Sequence, residues 1–248
     1  FAMDESERRV LQAFLKMTNV TQQQFATTPA EDAERHIQRL RCTACHHRDN
    51  TISPRGEIIS EESDRGLPPE VLPNLTFAGE KLHERAIAEI VGGKLKEPQR
   101  TWLKARMPAF PFYADVIARG LAAQHGVAAT QAESPAVAVT EDVLEAGRKL
   151  TLTQGGLDCR QCHGIGGQLA AGDGQTQLAR GIDFLAVRSR LRYNFYRRFV
   201  LDPPRYDIGT RMPKFVTDGR ITKVNHIYDG DARQQFDAIW LYLQSLEK

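Results

Sequence analysis

The chain has little of several things, and each shortage narrows what it can be. In its 248 residues no apolar run approaches the roughly twenty needed to cross a bilayer as a helix, so no membrane-spanning segment is expected. Neither sign of charge is in excess: 33 Lys and Arg face 31 Asp and Glu, a formal charge of +2. That is not the basic footprint of a nucleic-acid binder. Apolar residues make up 41% and mean hydropathy is −0.43, which is lean for two independent cores of about a hundred residues each. Cysteine and methionine are scarce, with four of each. Where they stand therefore carries weight.

All four cysteines fall in two short segments of one pattern, Cys42-Thr43-Ala44-Cys45-His46 and Cys159-Arg160-Gln161-Cys162-His163. Two cysteines three apart with histidine next in line form the attachment pattern of c-type haem. Each sulfur adds to a porphyrin vinyl group and the histidine reaches the iron. A zinc site split between the pairs would stretch ligand spacing far beyond structural zinc sites and leave the histidines unused. A redox-active pair would sit among βαβ units, and none are legible. Cysteines three apart also bridge poorly to each other. Two covalently bound haem c groups are expected, with His46 and His163 as proximal iron ligands. A buried porphyrin in each half would supply the apolar area that the composition lacks.

Haem iron held by one histidine has a second axial position, and its occupant sets the function. Met107 and Met212 each stand in the frame Arg-Met-Pro-x-Phe, 61 and 49 residues after His46 and His163. Proline after methionine disfavours the helical conformation there, so the thioether is offered from an extended loop. These two are expected as distal ligands. Arg106 and Arg211, and the indole of Trp102, are candidate partners for haem propionates. Thioether sulfur favours ferrous iron and raises the potential. A capped iron passes electrons and offers no open position to a substrate.

The plan of the chain repeats. A helix over 5–17 with Val10, Phe14 and Met17 on one stripe reads as a packing extension with Met17 in the core. A helix over 30–41 leads into Cys42, with His36 on its surface and His47 facing solvent. A polar loop runs to Pro73, a helix spans 77–91 and ends at Gly92-Gly93, and another spans 112–124. Residues 127–140 are small, Ala-rich and nearly uncharged, and read as a linker. A helix over 141–150, capped by Thr140, leads towards Cys159. Another spans 184–200, and a last one starts at the N-cap Asp231 with Phe236, Ile239, Trp240 and Leu243 on its apolar stripe. The run Arg188, Arg190, Arg192, Arg197, Arg198 and Arg205 reads as a solvated helix face. The expectation is an all-α chain: an extension plus a first haem domain over 1–126, a linker over 127–140, and a second haem domain over 141–248.

These motifs resemble the class I cytochrome c family over most of 30–126 and 140–248. More closely, Gly181-Ile-Asp-Phe-Leu185, Arg190-Leu-Arg192, Leu201-Asp-Pro-Pro204, Gly209-Thr-Arg-Met-Pro213 and the stretch from Asp229 to Leu243 resemble paired cytochrome modules at the C-terminal end of large secreted bacterial proteins. Those modules are often fused to dehydrogenase-like propellers. The resemblance implies two tandem cytochrome c domains taking electrons from a dehydrogenase, as partner or fused module, and passing them to a cytochrome or oxidase. It fits the first half less closely, because the loop between His46 and Phe77 is long. Haem of this type is attached outside the cytoplasm, so a periplasmic or extracytoplasmic location is expected. The opening residues hold no export signal, and the chain is expected to be a module of a longer precursor. The competing reading is a dihaem enzyme of peroxidase or thiosulfate-oxidising type, which would need an iron that opens beside acid–base groups. Two methionines in one frame argue against it.

Overall fold

The computed structural model describes residues 3–17, 27–66, 72–101, 103, 105–127, 134–172, 180–207 and 209–246. The described chain is mostly helical, with eleven α-helices and one two-stranded hairpin. No helix among the described residues is long and apolar enough to cross a membrane. The expected linker at 127–140 lies partly outside the described residues.

Two hydrophobic cores lie in sequence order. The first is built on α2 (Pro29–Arg39) and α6 (Ala114–Gln124), with α4 (Ala78–Lys81) and α5 (Glu84–Val91) against them. Thr28 caps α2 by accepting from the Glu31 amide, Pro29 stands in its first turn, and Ala33 and Ile37 fall on one buried stripe. Ile37 is 1% exposed, a burial that contributes about 1.5–3 kcal/mol. The second core pairs α7 (Glu141–Thr151) with α11 (Ala232–Ser245), and α8 (Phe184–Arg190) and α9 (Tyr193–Phe199) close it. Thr140 and Asp231 cap their helices as expected, and Phe236, Ile239, Trp240 and Leu243 are all buried. Each helix pair crosses at a glycine. A Cβ on Gly120 would lie 2.1 Å from the Pro29 carbonyl oxygen, and one on Gly147 would lie 2.2 Å from that of Ala238. Only a bare Cα lets these backbones approach so closely.

Five expectations about the fold are corrected. Helix α1 (Glu5–Leu15) forms, but Val10, Phe14, Leu15 and Met17 are exposed, Met17 at 60%, so the stripe is not a core. The stretch after His47 is not all loop. Ser53 accepts from the Gly56 amide and Pro54 opens α3 (Pro54–Asp64). The Ser53 amide donates to Nδ1 of His47 at 2.9 Å, so His47 is tied to that turn rather than turned to solvent. His36 is half-buried, its ring 4.7 Å from that of Tyr113.

The fifth correction explains how the halves join. The helices expected over 77–91 and 184–200 both break, at Leu82-His83 and at Leu191-Arg192, where the backbone turns extended. Leu82 and Leu191 form an antiparallel bridge with each other. His83 N–H donates to the Arg190 carbonyl at 2.8 Å, and Arg192 N–H donates to the Lys81 carbonyl at 2.9 Å. The two strands of this exchange are related by an offset of 109 positions, which makes Lys81 equivalent to Arg190, Leu82 to Leu191 and His83 to Arg192. Equivalent residues contacting one another in both directions is the signature of a two-fold contact. The halves meet as a pseudo-dimer within one chain. Phe77, Phe195 and Tyr206 pack around the bridge at 5.5–6.2 Å between ring centroids, and Arg198 pairs with Glu80. Outside the helices, β1 (Val216–Thr217) and β2 (Ile221–Thr222) form a hairpin. The fully buried Gln235 ties it to α11, with Oε1 accepting from Thr222 Oγ1 at 2.6 Å and Nε2 donating to the Val224 and Ile227 carbonyls.

Candidate functional site

The two Cys-x-x-Cys-His segments adopt one geometry. Each opens on a non-glycine residue in the left-handed region, Arg41 at φ 56° and Asp158 at φ 61°. That conformation costs about 1–3 kcal/mol, and it occurs at the same point in both halves. A single 3-10 turn follows, Cys42–Ala44 and Cys159–Gln161. The histidine amide then closes on the first cysteine, His46 N to Cys42 O and His163 N to Cys159 O, each at 3.0 Å. Both cysteines and the histidine of each segment are thus held on one compact turn.

The histidines are fixed in one orientation by the same device. His46 Nδ1 lies 2.8 Å from the Pro73 carbonyl oxygen and His163 Nδ1 lies 2.7 Å from that of Ile182. A carbonyl only accepts, so Nδ1 carries the proton and Nε2 keeps the lone pair. Pro73 and Ile182 are again 109 apart. The next anchors match as well, with Leu75 N–H on the His47 carbonyl and Phe184 N–H on that of Gly164, both at 2.9 Å. Burial lowers the pKa of both histidines, opposed in part by these carbonyls. Neutral imidazoles with Nε2 bare are in the state that binds a metal. From His to the accepting carbonyl is 27 residues in the first half and 19 in the second. The eight extra residues are accommodated by the segment containing α3.

All four cysteines are free thiols. Burial raises the pKa of Cys42 and Cys162, and it pushes Cys159 up to about 12. An activated redox thiol needs the opposite shift. Among the described residues no three of His, Cys, Asp and Glu converge as a metal-binding group, so the two cysteine pairs do not combine into a zinc site.

The methionine frames are placed differently in the two halves. Met107 is 42% exposed, in a non-helical stretch anchored by the Phe110 amide on the Val91 carbonyl at 2.7 Å. Met212 is half-buried and packs with Phe215 against the second core. Arg106 is exposed and donates to the Leu103 carbonyl at 2.6 Å; Arg211 is exposed as well. Trp102 lies outside the described residues.

A cluster of cations sits where the halves join. Arg192 is 1% exposed and its Nε donates to the Leu82 carbonyl at 3.1 Å. Arg190 is half-buried and its buried Nε has no partner, as is true of one terminal nitrogen of Arg192. Lys81 lies 5.7 and 5.5 Å from the ring centroids of Phe195 and Phe199. Burial, then Arg190 and Arg100, lower its ammonium to about 8 against the opposing pull of Asp207. Burial and Arg100 lower Arg190 to about 10. Arg190 and Arg192 therefore do not belong to a solvated face, although Arg188, Arg198 and Arg205 of the same run are exposed. The signal that would have found them is the 109-residue register, which sets Arg190 and Arg192 against Lys81 and His83. No family model matches the chain, and no curated protein or solved structure matches it.

Proposed function

We propose that the chain is a dihaem c-type cytochrome of two tandem class I-like domains, an electron carrier rather than an enzyme. Cys42 and Cys45 would hold one porphyrin and Cys159 and Cys162 the other. His46 and His163 would bind iron through Nε2, with Met107 and Met212 on the far side. The observation that carries the reading is the duplicated turn: two Cys-x-x-Cys-His segments of one geometry, each histidine fixed by a backbone carbonyl at the same point of the repeat. The residues fit the group. The thiols are uncommitted, the imidazoles are in their ligating tautomer, and Arg190 and Arg192 each keep a buried guanidinium nitrogen without a hydrogen-bond partner.

When bound, haem supplies a one-electron couple. The protein's own contribution is to orient each imidazole, to offer a thioether from an extended loop, and to surround the site with apolar side chains. The donor is proposed to be a dehydrogenase, the acceptor a cytochrome or oxidase, and the location periplasmic or extracytoplasmic. The exposure of Met107 favours one second reading, in which the first iron opens and works as a catalytic site. Intact-mass measurement of the chain from an export-competent, haem-attaching host tests the proposal. Two covalently added haems are expected, and a chain that leaves that host without either contradicts it.

A further inference from the structure

A cleft of about 470 Å³ opens where the halves meet, and none of its lining residues belongs to the proposed haem sites. The first half contributes Glu80 of α4 and Val127, just past the end of α6. The second contributes Arg197 and Arg198 from the last turn of α9, Leu201 beyond it, and Arg233 from the first turn of α11. Its size is that of a small-molecule site. Three arginines thus share the cleft with one carboxylate. Glu80 is committed to Arg198 in an ion pair that crosses the junction, and Arg198 Nε also donates to the Asn194 carbonyl at 3.2 Å. Among the described residues neither Arg197 nor Arg233 forms an ion pair. Asp237, one turn along α11 from Arg233, instead accepts from the Tyr193 hydroxyl at 2.6 Å.

We propose that this cleft binds a small organic dianion, two carboxylates on a short apolar body, with Arg197 and Arg233 as its charge partners. A guanidinium offers parallel N–H donors that match the two oxygens of a carboxylate. Two arginines without a counter-ion call for two such groups, and the side chains of Val127 and Leu201 suit a carbon body between them. The walls come from both halves, so the cleft is complete only when the halves are docked. A ligand held there stabilises the docked arrangement by mass action. The inference does not depend on the two-haem reading.

The test is a calorimetric titration of the purified full chain with succinate at constant ionic strength, so that general screening is the same throughout. One saturable site per chain is expected. Butyrate, with the same number of carbons and a single carboxylate, should bind at least about tenfold more weakly. Arg197→Gln and Arg233→Gln should each weaken succinate by about tenfold or more. Arg188→Gln, exposed and outside the cleft lining, should leave it unchanged. If Arg197→Gln does not fold, the exposed Arg233 carries the same expectation. No saturable binding, equal binding of butyrate, or an affinity unchanged in Arg233→Gln overturns the proposal.

Discussion

The two halves use one site geometry and very different cores. The second buries Phe184, Tyr193, Tyr196, Phe236 and Trp240 together, and Tyr193 and Tyr196 lie 5.5 and 4.8 Å from the Trp240 ring. Among the described residues, the buried side chains of the first core are all aliphatic, several of them alanine: Ile37, Ala78, Ile87, Val91, Ala114, Ile117, Ala118 and Leu121. Aromatic residues bring the largest apolar areas to a core. On the proposed reading the first half would lean more on a bound porphyrin for cohesion, and the second would stand closer to alone. The methionines follow the same division, with Met212 packed and Met107 exposed.

The sharpest way to break this comparison is to remove haem attachment from one half at a time. Replacing Cys42 and Cys45 by serine should leave residues 27–127 unprotected from proteolysis while 134–246 remain protected. The matching pair at Cys159 and Cys162 should destabilise the second half yet leave its tyrosine–tryptophan core folded, as near-ultraviolet circular dichroism would report. Equal collapse in both variants would show that the cores do not differ in their need for haem. A smaller effect sharpens the likeness of the halves. Gly120→Ala and Gly147→Ala each push a methyl into backbone, at 2.1 and 2.2 Å, and each should cost about 1–3 kcal/mol in urea unfolding of the holoprotein. A cost in one half only would mean that the crossings are not equivalent.

Much of this was legible in the sequence, for physical reasons that can be named. The caps Thr140 and Asp231, the stripe of α11 and the two haem-type motifs are local, and local chemistry is what sequence shows. The breaks at Leu82-His83 and Leu191-Arg192 were not legible, because helix periodicity runs through both and only the opposite half's backbone interrupts them. Burial of Arg190 and Arg192 escaped for the same reason. Helix α3 was hidden by its Gly/Pro punctuation, although Ser53-Pro54 is a good start signal. Helix α1 has a stripe without a core beneath it, which a periodicity argument cannot distinguish from a buried one.

The smallest expected effect lies at Lys81. Facing Arg190, Arg100 and Asp207 without a further anion, its ammonium sits at about 8, below its ordinary 10.5. Between those values the unfolded chain would bind a proton that the folded chain lacks, and stability would rise with pH. Urea midpoints of the protein should therefore rise between about pH 7.5 and pH 10 in wild type relative to Lys81→Met. An equal change in the two would contradict the lowered Lys81 ammonium.

The central claim is that both irons are capped, and the most direct test is the absorption spectrum of the reduced protein before and after carbon monoxide, with haem quantified in the same sample. The account predicts two haems per chain and no spectral change. Rapid carbon monoxide binding at one haem would contradict it, and the exposed Met107 marks the first half as the place to look.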